Sequence, residues 1–209
     1  MRIRQHVNPL KLEFLLPRGA RVLAPHGREL EVELGCAEAQ FLFERVAADP
    51  RRYAVGLEIR RELVDAVNRR ADETRAPVQA IFCHMNIDLP EMFAEGSVTR
   101  MFVNFPDPWF KRRHHKRRVI DDQLVGACAR ALRAGGELFF QSDVWPLALE
   151  ALAAFEEEPR LENLAGPWSF WRRGNPYGVR SRREQACEEA GLPVWRMLYR
   201  RVDLPPPRS

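Results

Sequence analysis

The sequence predicts an α/β fold: a doubly wound, mainly parallel sheet with a late antiparallel strand. Two observations carry this. Short apolar or alternating runs repeat along residues 30–141, and amphipathic stretches of helical length separate them. Strands alternating with helices form βαβ units, which pack helices on both faces of a parallel sheet. A third observation, the absence of a linker inside residues 30–202, assigns that span to a single domain. It is preceded by an arm, 1–29, and followed by a Pro-rich tail, 203–209.

In the arm, Pro9, Pro17, Gly19, Pro25 and Gly27 interrupt any long element. Leu30-Glu31-Val32-Glu33-Leu34 alternates as a strand. A glycine turn and a helix near 38–48 follow. Residues 53–59 form a second strand, and 60–74 an amphipathic helix with Leu63, Val64 and Val67 on one side. Val78–Cys83 is the third strand. Val98–Asn104 is the fourth, after a short helical piece. A helix over 119–133 is expected to stop at Gly135-Gly136. Residues 137–141 form the fifth strand and 145–157 a helix. The last third is less regular, with one late strand over 194–202.

The chain has 209 residues, 45% of them hydrophobic and 30% charged, the profile of a soluble globular protein. No run of 18 apolar residues is present, so no membrane span is expected. The N-terminus lacks the apolar core of an export signal. Cys36, Cys83, Cys128 and Cys187 form no CxxC pair, which argues against a thiolate zinc site or a disulfide framework and fits a reducing cytoplasm. His84, His114 and His115 lack metal-ligand spacing, so no metal is expected.

Charge is concentrated. The net charge is +4, and the octapeptide 111–118 (KRRHHKRR) holds six basic residues and no acid. Without it the chain would be slightly acidic. A cationic patch on a near-neutral body points to a polyanion partner.

In a doubly wound sheet, ligands bind beyond the carboxyl ends of the strands. Three such ends stand out. At the first, Glu33-Leu34-Gly35-Cys36-Ala37-Glu38-Ala39 can bring backbone N–H groups toward a ligand, but it lacks the G-x-G-x-x-G of dinucleotide sites, which disfavours a nicotinamide oxidoreductase. At the second, Glu58 can accept the two hydroxyls of a ribose, or be only a solvated acid before Arg60. At the third, Asn104-Phe105-Pro106-Asp107-Pro108-Trp109 runs into the basic octapeptide. The prolines restrict the backbone around Asp107, Trp109 offers a stacking face, and Lys111 onward supplies phosphate contacts. These residues leave open a nucleoside-dependent enzyme acting on RNA and a non-catalytic RNA-binding module.

Asn104–Trp109, Lys111 and Arg113–Arg118 closely resemble the signature of the bacterial tRNA (guanine-N7)-methyltransferases. Further matches fall in register: Glu33-Leu34-Gly35, Gly56-Leu57-Glu58, Leu132-Arg133-Ala134-Gly135-Gly136, Ser142-Asp143 and Ser181-Arg182-Arg183-Glu184. The resemblance implies a seven-stranded Rossmann-like sheet of the class I methyltransferase type, its last strand antiparallel. It implies S-adenosyl-L-methionine as methyl donor and N7 of a guanine in the variable loop of tRNA as acceptor. Glu33, Gly35, Glu58, Asn86 and Asp107 would contact the cofactor, with Asp107 also catalytic. Lys111, Asp143, Ser181, Arg182, Arg183 and Glu184 would meet the substrate. The resemblance leaves two alternatives: a methyltransferase on another RNA, and an inactive RNA-binding relative. One departure is local: Ala37 and Ala39 stand where the family has more glycine, and alanine is disfavoured if φ is positive there.

Overall fold

The computed structural model describes residues 21–107 and 120–204. In chain order the elements are β1 (Glu29–Leu34), α1 (Gln40–Ala48), β2 (Arg52–Glu58), α2 (Arg61–Thr74), β3 (Val78–Phe82), α3 (Met85–Met92), β4 (Val98–Asn104), α4 (Asp122–Ala131), β5 (Leu132–Ser142), α5 (Trp145–Glu156), β6 (Leu161–Asn163), α6 (Arg182–Glu189) and β7 (Trp195–Arg201). The strands form one sheet in the order β3-β2-β1-β4-β5-β7-β6. The β1–β2, β1–β4, β2–β3 and β4–β5 pairs are parallel, and β7 is antiparallel to both β5 and β6. The doubly wound sheet with an antiparallel final strand is therefore as expected.

Alternation along the strands divides the core. Val32, Met101, Val103, Leu138, Phe140 and Tyr199 pack with residues of α3, α4 and α5 on one face. Phe102, Phe139 and Leu198 pack with α1 and α2 on the other. Residues on one face are two apart in sequence. Asn104, Gln141 and Arg196 thus lie on the face of Phe102, Phe139 and Leu198, one step nearer the carboxyl ends of β4 and β5. A row of polar side chains caps a row of apolar ones at the edge where ligands bind.

The β4–β5 pairing departs from expectation. The fourth helix ends at Ala131, and Leu132 already pairs with Val98. The chain then bulges, and the ladder resumes at Arg100 and Glu137. Gly135 has φ +72°, and a Cβ on Gly136 would lie 2.9 Å from the Arg133 carbonyl oxygen and 3.1 Å from that of Thr99. Gly135-Gly136 therefore shapes a β-bulge rather than stopping a helix. The sequence pattern also missed β6, only three residues long, and α6, which buries only Glu184 and Cys187 and so shows no apolar stripe. Val22, inside the segment expected to be an arm, is buried and bridges to Phe93.

Candidate active site

The site lies at the carboxyl tips of β1, β2, β4 and β5. Beyond β1 the chain turns sharply. Gly35 has φ +79° with open space where a Cβ would stand, and the Gly35 and Cys36 N–H groups both donate to the Leu57 carbonyl, at 2.9 and 3.1 Å. In β2, Gly56 is required by packing, because a Cβ there would sit 2.3 Å from the Cys36 sulfur. Ala37 and Ala39 are both left-handed, at φ 49° and 52°.

Left-handed alanine costs about 1–2 kcal/mol, and glycine gives back about 0.4–1 kcal/mol in unfolded-chain entropy. Ala37→Gly is expected to stabilise the protein by about 0.5–1 kcal/mol, measured by chemical denaturation. Ala39 is buried, so Ala39→Gly also forfeits a core methyl worth about 0.8 kcal/mol and is expected to be near neutral. Equal effects at the two positions would contradict this account.

A third strained residue lies across the cleft. Phe105, directly after β4, has φ 50°, and its N–H donates to the Gln141 carbonyl at 2.8 Å. A bulky residue rarely takes that conformation, and such outliers cluster at functional sites. Phe105 and Pro106 turn the chain so that Asp107 emerges exposed. The Arg60 guanidinium has its pKa raised, chiefly by hydrogen bonds to Glu58 and further by the charges of Glu58 and Asp107. Asp107 is thus within electrostatic reach of the β2 tip.

Glu58 is buried rather than solvated. Its carboxylate accepts from the Ala37, Ile59 and Arg60 N–H groups at 3.0, 2.8 and 3.0 Å, and from the Arg60 guanidinium at 2.7 and 2.9 Å. It ties the β1 loop to β2, and Arg60 covers the edge a ribose would use. Glu33 is 4% exposed. Its Oε1 accepts from Asn104 Nδ2 at 2.7 Å, while Oε2 is buried with no hydrogen-bond partner. Burial is the main cause that pushes the Glu33 pKa up to about 8; the Asn104 hydrogen bond opposes it and the Glu58 charge adds to it. At the β3 tip, Asn86 donates to Asp121 at 2.9 Å, and the neighbouring His84 Nδ1 is buried without a partner.

Each residue of the late motif has a partner within the chain. Ser181 is the N-cap of α6, its Oγ accepting from the Glu184 N–H at 3.2 Å. Glu184 has no exposed surface. Its Oε1 accepts from Arg196 at 2.8 Å, and its Oε2 from Gln141 at 3.0 Å and Asn175 at 2.9 Å. In this arrangement the Glu184 carboxylate is enclosed by three protein donors. The S-x-x-E spacing is also that of a capping box, a signal in the sequence that accounts for the serine without a ligand. Arg182 and Arg183 are exposed and pair with Glu38 in the β1 loop and with Asp143 beyond β5. α6 therefore spans the cleft. Lys111, like the whole basic run, lies outside the described residues.

All four cysteines are buried, and burial pushes the Cys36 and Cys83 thiols up, so neither is poised as a thiolate. Among the described residues no cluster of His, Cys, Asp or Glu is arranged to hold a metal, and no helix is long and apolar enough to cross a membrane.

A family profile described as "Putative methyltransferase" matches residues 28–197. The chain is 40% identical over 207 residues to a tRNA (guanine-N(7)-)-methyltransferase of Synechococcus elongatus, covering 95% of this chain and 96% of that one. It is 37% identical over 205 residues to the protein of the same name from Synechococcus sp. (strain JA-3-3Ab), covering 96% and 86%. Among solved structures, the antibiotic-resistance methyltransferase Kmr superposes with a TM-score of 0.60 at 15% identity, over 86% of this chain and 90% of that one. The geranyl diphosphate C-methyltransferase of Streptomyces coelicolor, solved with S-adenosyl-L-homocysteine, gives 0.57 at 18% identity, over 91% and 78%. At those identities the likeness concerns the fold.

Proposed function

The chain belongs to the tRNA (guanine-N(7)-)-methyltransferase family, and from that membership we infer that it methylates N7 of guanine in tRNA with S-adenosyl-L-methionine as donor. The observation that carries the reading to this chain's own residues is the pair Glu33 and Asp107 at neighbouring strand tips, one buried with an unpartnered oxygen, the other exposed.

The β1 tip fits a cationic nucleoside. Glu33 Oε2 offers a buried acceptor for a cation, and Gly35 leaves open space for close approach. His84 Nδ1 and Asn86 stand at the β3 tip for the base. Glu58 would hold the ribose once Arg60 swings aside, as its 20% exposed side chain permits. When bound, S-adenosyl-L-methionine supplies an electrophilic methyl group on a sulfonium.

Guanine N7 carries a lone pair and no proton, so the protein needs no strong base. Its task is to orient the ring and stabilise the cation that forms. Asp107, aimed off the β4 tip, accepts from the guanine edge and opposes the developing positive charge. Asp143 accepts from the same base. Arg182 and Arg183 exchange their acidic partners for RNA phosphates. Ser181 and Glu184 hold α6 in place.

The test is methyl transfer from labelled S-adenosyl-L-methionine to tRNA lacking the modification, with 7-methylguanosine read by mass analysis. Label in another nucleoside would replace this reading with a different RNA methylation, and cofactor-free RNA binding would leave only an RNA-binding module. The run 111–118 provides the phosphate contacts of the same reading. Lys111→Ala/Arg112→Ala is expected to lower the magnitude of the slope of log affinity against log salt by roughly 1.4–1.8, about 0.7–0.9 for each phosphate no longer neutralised. An unchanged slope would remove the run from the RNA footprint.

A further inference from the structure

A chain of buried hydrogen bonds crosses the sheet beneath the cleft, and its central member takes no part in the chemistry of methyl transfer. Gln141, fully buried in β5, is the register neighbour of Asn104 in β4 and of Arg196 in β7. Its Nε2 donates to Asn104 Oδ1 at 2.9 Å and to Glu184 Oε2 at 3.0 Å. Its Oε1 accepts from Arg196 Nε at 3.3 Å. Asn104 passes the chain on to Glu33.

The donor chemistry allows one direction only. A guanidinium can only donate, so Arg196 holds the Gln141 oxygen toward itself. The Gln141 amide N–H groups must then face Asn104 and Glu184. Asn104 must turn its oxygen to Gln141 and its N–H to Glu33. The orientation of the donor that Glu33 receives is thus set from α6 and β7, two amides away. In a buried network such bonds reinforce one another, and reversing one amide would leave two acceptors, or two donors, face to face. The same helix α6 is tied to the β1 loop by Arg182–Glu38 and to Asp143 by Arg183.

We propose that Gln141 is a positioning residue that couples the methyl-donor site at Glu33 to the RNA-facing helix α6 through Asn104 and Glu184. RNA that draws Arg182 and Arg183 away from Glu38 and Asp143 shifts α6, and with it Glu184. Gln141 carries that shift to the donor presented to Glu33. The two ligands then bind cooperatively, and the coupling is reciprocal. This rests on the assignment of Glu33 to the cofactor and of α6 to the RNA side.

The experiment is calorimetric titration of S-adenosyl-L-homocysteine into the full chain, alone and with saturating unmodified tRNA. In the wild type, tRNA is expected to change the dissociation constant by about fivefold or more. In Gln141→Met, which keeps the length and removes all three bonds, the ratio is expected to fall to within twofold of one. A loss of packing alone would lower Tm and weaken both titrations equally, leaving the ratio intact. Arg196→Lys keeps the charge beside Glu184, removes the Nε donor that orients Gln141, and is expected to lose the ratio too. It serves if Gln141→Met does not fold. An unchanged ratio in a folded variant, or a ratio of one in the wild type, overturns the coupling. Failure of the wild type to bind S-adenosyl-L-homocysteine at all instead overturns the cofactor assignment on which it rests.

Discussion

Asp107→Ala is expected to lower methyl transfer to unmodified tRNA by about 10²–10⁴-fold, the range lost when one positioned acid or one charge-stabilising group is removed. The fold is expected to survive, because Asp107 is exposed and surface substitutions of this kind stay within about 0.5 kcal/mol. Circular dichroism and Tm check the second half, and labelled methyl transfer the first. Asp107→Asn separates the two parts of the role. It keeps an acceptor for the guanine edge and removes the charge that opposes the cationic product. An activity close to that of the alanine variant would assign the effect to charge, and one near wild type to the hydrogen bond. Turnover within tenfold of wild type in Asp107→Ala would take the residue out of the reaction.

Glu33→Gln is expected to strengthen the fold and remove cofactor binding together. Burial raises the Glu33 pKa from 4.5 to about 8, so between those values the native protein holds a proton that the unfolded chain has released. Stability therefore falls as pH rises from about 4.5 to 8, by an amount on the order of a few kcal/mol. Glutamine cannot ionise, so the variant is expected to lose that pH dependence and to exceed wild type at pH 8. Denaturant midpoints at pH 5 and pH 8 read this directly. The same substitution withdraws the anion that would meet the cationic donor, and the affinity for S-adenosyl-L-methionine is expected to fall by about 10²–10³-fold. In the wild type at pH 7, binding is expected to release a proton, seen as a dependence of the calorimetric heat on the buffer's ionisation enthalpy. A flat stability profile between pH 5 and 8, or no proton release, would show that Glu33 is already ionised and solvated.

Opposed demands on one buried carboxylate also account for its surroundings. Asn104 supplies a single hydrogen bond, enough to orient Glu33 but too little to satisfy both oxygens. The left-handed residues Ala37, Ala39 and Phe105 sit around the same cleft, so strain and an unpaired acceptor are stored together at the mouth of β1 and β4.

The order of β1 to β5 with the helices between them, the parallel pairing and the Glu33, Glu58 and Asp107 strand ends were legible in residues 1–209 alone, because apolar periodicity, proline and glycine act over a few residues of chain. The family signature at Asn104–Trp109 was equally local. Other features arise between segments remote in sequence. Glu58 accepts the Ala37 N–H from 21 residues away only because the β1 loop folds onto β2. Gln141 meets Asn104 from 37 residues away and Glu184 from 43, and nothing in a run of Leu-Phe-Phe-Gln-Ser shows which of its residues a neighbouring strand will face. The Ser181–Glu184 run reads equally as ligand contact and as helix cap from its spacing. Burial adds what the spacing does not show: the Glu184 carboxylate is enclosed by Arg196, Gln141 and Asn175, and the Ser181 hydroxyl caps α6.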